Sequence, residues 1–250
     1  LRNYCHTEGV DYLKPSESCN PSSFAPSWAV LGDSHGVEIS YMLNDLLKSY
    51  NKSSIQLTFS GCPPAFGFDS NNPGCSDWNK DAVNYLIKNK DIQNVVLVYR
   101  HSYYLKGENK ATFPGTELSP LDFVNSLDNL SDIEKKDVYF EGLTNIIDKL
   151  TSNNKTVYFV YPIPEIIDPI DKYIFNNNFL SPPMIKKQGP SFEYYKKRHN
   201  YLLDFIDKTN NNRLVKIPTF HLFSENNSIE VIKQEKALYF DSNHASLFGA

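Results

Sequence analysis

Arginine is scarce in this chain. Four occur in 250 residues, Arg2, Arg100, Arg198 and Arg213, and the formal net charge is −4. Nucleic-acid surfaces depend on clustered cations, so no nucleic-acid partner is expected. Long apolar runs are also missing. No stretch approaches the roughly 18 residues of a helical membrane span, and no secretory leader is visible. Internal repeats are absent, as is low complexity beyond short runs such as Asn176, Asn177 and Asn178. The chain opens at Leu1 and stops where a last helix should begin, so a piece excised from a longer protein is expected.

Cysteine is limited to Cys5, Cys19, Cys62 and Cys75. No Cys-x-x-Cys pair occurs, which disfavours zinc. Four cysteines can pair in three ways. Closeness in sequence favours Cys5–Cys19 and Cys62–Cys75, each bracketing a Pro-, Ser- and Asn-rich loop. Loops of that size gain roughly 3 kcal/mol each from cross-linking in the chain-entropy model. Such pairing suggests an oxidising compartment; four free thiols in a reducing one are the alternative.

What is present suits one α/β domain: 40% hydrophobic and 22% charged residues over a length that buries a sizeable core. Residues 1–27 read as an irregular lead-in and 28–250 as the domain proper. The spacing predicts helices over 37–50, 76–90, 137–153 and 191–209, with Ser191 as an N-cap. It predicts strands over 28–32, 54–60, 94–99, 156–161 and 214–217. In the first helix Ile39, Met42, Leu43, Leu46 and Leu47 form the apolar stripe. Strands alternating with helices imply a three-layer α/β/α sandwich around a parallel sheet of about five strands. Residues 107–136 and 166–190 read as irregular insertions, the first long enough for a lid or an acceptor-binding wall. Its neighbours Tyr103 and Tyr104 could stack on sugar rings or pack beneath it.

The first strand ends at Gly32-Asp33-Ser34-His35-Gly36, and a helix follows. Strand, tight turn and helix expose a serine hydroxyl at the carboxyl edge of a parallel sheet. A base is available far along the chain, at Asp241-Ser242-Asn243-His244. An Asp three residues before a His can orient its imidazole, so Ser34, His244 and Asp241 form a candidate triad. His221 is the rival base, although its apolar neighbours favour a structural role. Asp33 is read as bonding the turn backbone, and His35 as pointing elsewhere. A metal site made from His35, Asp241 and His244 has no ligand spacing behind it, so neither metal nor cofactor is expected. Ser246 is read as the cap of a final helix.

Taken together, Gly32-Asp33-Ser34-His35, Gly61-Cys62-Pro63 and the run from Asp241 to Gly249-Ala250 resemble the SGNH (GDSL-like) hydrolases. The similarity is closest to the SGNH domains fused to acyltransferase-3 membrane domains in bacterial polysaccharide O-acetyltransferases. The resemblance implies a serine acyltransferase or esterase. In it the backbone N–H groups of Ser34 and Gly61 form the oxyanion hole, worth roughly 3–4 kcal/mol per donor. The usual Gly-x-Asn-Asp block is missing after the 94–99 strand. Arg100 or His101 is the candidate third donor, against a structural ion pair for Arg100 and a rim position for His101. The resemblance further implies an acetyl donor, a cell-envelope polysaccharide such as lipopolysaccharide O-antigen as acceptor, a fused or associated membrane partner and a periplasmic location. A carbohydrate acetylesterase with the same triad and a silent carbohydrate-binding module are the alternatives.

Overall fold

A computed structural model describes residues 2–108, 122–125, 130–174 and 188–250. The chain opens with helix α1 (Arg2–Cys5) and strand β1 (His6–Thr7). Then come β2 (Pro26–Gly32), α2 (Gly36–Lys48), β3 (Ser53–Phe59), α3 (Cys75–Lys88) and β4 (Asn94–Val98). These lead into α4 (His101–Lys106), α5 (Asp132–Ser152), β5 (Thr156–Val160), α6 (Asp171–Ile174) and β6 (Gln188–Ser191). The last third holds α7 (Phe192–Lys208), β7 (Leu214–Ile217) and four short strands: β8 (Ser224–Glu225), β9 (Ser228–Glu230), β10 (Ile232–Lys233) and β11 (Lys236–Ala237).

Six strands make one parallel sheet in the order β1-β3-β2-β4-β5-β7. The sheet has one strand more than expected because the lead-in supplies an edge: His6 and Thr7 pair with Thr58 and Phe59. Two residues carry no periodicity, so this strand is invisible to pattern reading. Helix α2 covers one face, with Ile39 and Leu43 against Val30, Val96, Val98 and Val160. Helices α3, α5 and α7 cover the other, where Trp78, Leu86, Leu143, Ile147 and Leu202 pack on Leu31, Leu57 and Leu97. Both faces being covered explains why β4 reads as an unbroken apolar run.

The α2 stripe differs from its expectation at one position. Leu46 is exposed, and the inward place is taken by Asn44, whose Nδ2 donates to the Ser54 carbonyl and hydroxyl oxygens. Helix α5 begins at Asp132, ahead of the apolar period. Ser131 and Glu134 form a reciprocal capping box that satisfies the first N–H groups. Ser191 caps α7 as expected, its hydroxyl accepting from the Tyr194 N–H. The sulfurs join as Cys5–Cys19 and Cys62–Cys75. Most of both expected insertions, residues 109–121, 126–129 and 175–187, lies outside the described residues.

A separate apolar cluster underlies the end of the chain. Ile163, Ile166, Phe220, Phe223, Ile229, Leu238, Tyr239 and Ala245 bury one another beyond the carboxyl edge of the sheet. The antiparallel strands β6, β9 and β8 and the hairpin β10–β11 frame it. The chain from Lys236 to Ala250 rests here.

Candidate active site

Gly32 ends β2 in register with Thr58 on one side and Val98 on the other. The strands are so close that a Cβ at Gly32 would run into the Val98 carbonyl oxygen. The Asp33 N–H donates to that same oxygen (3.2 Å), so the turn leaves β2 anchored to β4. The Gly36 N–H then donates to Asp33 O (3.1 Å) and α2 begins. This hand-over leaves Ser34 partly exposed between buried neighbours.

Asp33 does no surface work. Its Oδ1 accepts from the His35 N–H (2.9 Å), and its Oδ2 accepts from the Arg100 N–H (2.8 Å) and the Tyr104 hydroxyl (3.0 Å). Burial pushes its carboxyl above the usual carboxylate range, against the pull of those three donors. Tyr104 is therefore a buried support of the turn. Tyr103 remains partly exposed, with the Arg100 guanidinium 4.8 Å from its ring centre.

From the far end of the chain, His244 Nε2 comes to 2.8 Å from Ser34 Oγ. Its Nδ1 lies 2.6 Å from Asp241 Oδ2. Asp241 Oδ1 accepts the backbone N–H groups of Asn243 (2.8 Å) and His244 (2.7 Å). Partial burial works upward on this carboxyl, but the imidazole and the two backbone donors hold it well below the ordinary range. An ionised Asp241 only accepts, so Nδ1 carries the ring proton and Nε2 is left to accept from the Ser34 hydroxyl. The three residues thus form an unbroken hydrogen-bonded series, assembled from the carboxyl edge of β2 and a bend that no helix or strand runs through.

The His244 ring lies against two others. His35 is 4.5 Å away, and Phe240 stacks at 5.1 Å and 11°. His35 therefore faces His244 rather than pointing away: it is buried, and its Nε2 is 3.0 Å from Asn243 Oδ1. Ser246 forms no helix cap. Its hydroxyl donates to Ala237 O (2.6 Å) and accepts from the Phe248 and Gly249 N–H groups (3.2 Å each), closing a turn.

Gly61 lies just past the end of β3, the neighbour of β2, at φ +57°. This left-handed conformation suits glycine. Asn72 Nδ2 donates to Ser60 O (2.9 Å) and Gly61 O (3.0 Å), pinning the turn. Sequence reasoning missed Asn72, since an Asn in a loop carries no period. It also missed Glu165, which accepts from Arg100 Nε (3.0 Å) and Arg198 Nε (2.9 Å). Burial alone would raise that carboxyl, but Arg198 and Arg100 bring it down to about 2. The next residue, Ile166, donates its N–H to Ser242 O (2.8 Å), so the ion cluster braces the Asp241–His244 turn.

Arg100 is committed to carboxylates: Glu165 on one side and Glu108 on the other, the latter at 3.1 Å. His101 is in the core rather than at the rim. It stacks on Phe159 at 5.1 Å, with Nδ1 2.7 Å from the Tyr139 hydroxyl, and burial lowers it to about 3. His221 is exposed on the one-turn segment Phe220–Leu222. Among the described residues no cluster of His, Cys, Asp or Glu could hold a metal ion. No described helix is long and apolar enough to cross a membrane.

The chain matches a family model described as an SGNH domain fused to AT3 domains over residues 4–250. No curated protein matches it. Among solved structures it is similar to a GDSL-like lipase from Bacteroides thetaiotaomicron, with TM-score 0.41 and 11% identity over 88% of this chain and 79% of that one. It is also similar to an acetyl xylan esterase from Butyrivibrio proteoclasticus, with TM-score 0.39 and 8% identity over 80% of this chain and 57% of that one. At TM-scores this low neither likeness carries an argument. On the family match, the chain belongs to the SGNH domain family whose members are fused to AT3 domains, and is a serine-type acyl-handling enzyme.

Proposed function

We propose that the chain is an O-acyltransferase domain that moves an acyl group, acetyl in the first instance, through Ser34 to a hydroxyl of a cell-envelope polysaccharide. The series Ser34 Oγ, His244 Nε2, His244 Nδ1, Asp241 Oδ2, with contacts of 2.8 and 2.6 Å, carries this reading. His244 Nε2 takes the Ser34 proton while Oγ attacks the carbonyl carbon of an activated acyl donor. The tetrahedral oxyanion is stabilised by the N–H groups of Ser34 and Gly61. As it collapses, His244 returns the proton to the leaving group and an acyl-serine remains. The polysaccharide hydroxyl then gives its proton to His244 and attacks the acyl carbon. Collapse releases the ester, and Ser34 regains its proton. Asp241 stays ionised throughout and orients the imidazole.

The association of the family with AT3 domains supports a membrane partner as the source of acyl groups. The two disulfides support an oxidising compartment, and together they favour a periplasmic position. The test is turnover of a small aryl acetate, with and without an envelope polysaccharide, followed by mass spectrometry of the polysaccharide and of Ser34. Acetyl recovered on the polysaccharide, and lost in Ser34→Ala and His244→Ala, supports transfer. Release of acetate alone, at a rate the polysaccharide does not change, makes the chain an esterase. Absence of turnover and of fluorophosphonate labelling leaves the silent carbohydrate-binding module.

A further inference from the structure

The turn that carries the base has a tether the proposed mechanism does not use. Asn243 Nδ2 donates to Ser242 Oγ (3.2 Å), which leaves Oδ1 turned toward His35 Nε2 at 3.0 Å. An amide oxygen only accepts, so His35 carries its proton on Nε2 and donates it. Both partners are buried, at 3% and 8% exposure, so solvent does not compete for the bond. Asn243 lies between Asp241, whose Oδ1 holds its N–H, and His244. His35 lies immediately after Ser34. One hydrogen bond therefore ties the residue beside the nucleophile to the residue beside the base, across a separation of 208 positions.

We propose that His35 is a positioning residue. Through Asn243 and through contact of its ring with His244, it fixes His244 Nε2 over Ser34 Oγ. The proposal rests on the serine reading of the site and not on the acceptor. Burial, followed by the neighbouring His244 and Arg100 charges, holds His35 well below the usual histidine range. The ring therefore stays neutral when His244 becomes an imidazolium 4.5 Å away. Without the tether the Asp241–His244 pair keeps its internal bonds, but the turn as a whole can drift from Ser34. Misplacement by about 1 Å at such a site costs up to roughly 100-fold in rate.

The experiment compares the parent chain with His35→Ala, His35→Gln, Asn243→Ala and the double variant His35→Ala/Asn243→Ala. Aryl acetate kinetics, fluorophosphonate labelling of Ser34, thermal midpoints and imidazole N–H proton resonances are recorded. The expected result is a kcat loss of roughly 10- to 100-fold in each alanine variant, with KM within about twofold. The double variant should be no worse than His35→Ala, which already removes both the bond and the ring contact. His35→Gln, whose amide can donate at the Nε2 position, should recover most of the rate. His101→Gln, at an equally buried histidine, is the control and should keep kcat. The His35 Nε2–H resonance, identified by its loss in His35→Gln, should shift or vanish in Asn243→Ala.

Multiplying losses, no recovery in His35→Gln, or kcat within twofold of parent in the alanine variants would overturn the proposal. A parent that neither turns over nor labels would overturn it together with the serine reading. In that case the N–H resonance alone would report whether the tether exists, which separates the two failures.

Discussion

Ser34 and His244 meet at one point but are held there by different physics. Ser34 stands at the junction of β2 and α2, where both flanking elements are buried and the turn is locked by strand register against Val98. His244 stands on a bend held by named hydrogen bonds: Ser242 O to Ile166 N–H, Asn243 to His35, and the Asp241 carboxylate to the bend's own N–H groups. Strand register and packing dominate the first half, with the buried Asp33 carboxylate as a brace, and polar contacts dominate the second. Packing is cooperative and leaves a pattern in sequence, whereas a polar bend is set by single residues. The two halves should therefore fail differently.

The largest effect is expected where chemistry breaks without the fold. Asp241→Asn keeps the shape of the bend but removes the charge that sets the His244 tautomer. We expect kcat to fall about 10⁴-fold, with the thermal midpoint little changed, measured by aryl acetate turnover beside calorimetry. A midpoint drop matching the activity loss would mean that Asp241 is chiefly structural.

Glu165→Ala is next, and inverts that result. It takes the shared carboxylate from two guanidinium groups: Arg100 keeps Glu108, but fully buried Arg198 loses its ion pair. Removing one partner of a buried ion cluster costs about 3–5 kcal/mol, or a midpoint lower by roughly 10 °C at this chain length. Gly32→Ala strikes the packed half at its narrowest approach, beside the Val98 carbonyl. We expect about 3 kcal/mol from forced overpacking. Glu165→Ala should loosen the His244 bend first and Gly32→Ala the β2–β4 pairing, so hydrogen exchange at Ser242–Ala245 and at Val95–Val98 should respond in opposite order.

Acid separates the regions more gently. His101 and His199 are lowered to about 3 by burial, Glu165 adding a smaller upward pull on His199. Their unfolded values lie near 6.5. Above that pH neither state binds the proton; below it the unfolded chain does and the folded chain does not. Stability therefore falls as pH drops from about 6.5 toward 3, by up to about 1.4 kcal/mol per pH unit for each histidine. The Glu165 contribution is complete above about 4.3 and is lost only as pH approaches 2. Urea unfolding between pH 7 and 4 should show the histidine slope, to which buried His35 also contributes, and His101→Gln should remove about a third of it. An unchanged slope would place the acid sensitivity elsewhere.

The same division decides what could be read beforehand. The core strands, α3, α7 with its Ser191 cap, and the Ser34 junction follow from apolar period and Gly punctuation, and the structure shows them within a residue or two. The Asp241-x-x-His244 spacing was legible as a motif. The supports of the site were not, since His35, Asn243 and Glu165 around the bend and Asn72 at the Gly61 turn make contacts set by tertiary approach. His101 misled for a related reason. A polar residue after a strand reads as rim, but here α4 turns it into the core, where Tyr139 and Phe159 receive it. Strand β1 was too short to carry a period, and the capping box at Ser131 lies outside the apolar repeat that marks α5.

Ser246 gives the smallest expected effect and the finest test of the contrast. A hydroxyl before a polar-apolar run reads as a helix cap. In the structure it instead bridges Ala237 O and the N–H groups of Phe248 and Gly249, while its own N–H reaches Leu238 O at 2.8 Å. The turn thereby ties the chain after His244 to the β10–β11 hairpin. Ser246→Ala deletes the hydroxyl contacts and keeps the backbone bond, so the cost should be about 1 kcal/mol. A helix cap would lose a similar amount, so stability alone does not tell the two apart; the site does. Ser246 lies two residues from His244 in the half held by polar contacts, so kcat should fall a few-fold with KM steady. A Ser131→Ala change, which uncaps α5 in the packed half, should cost a comparable amount of stability and leave kcat unchanged. Equal kcat in the two variants would mean that the bend is as rigid as the junction, and the distinction between the halves would fail.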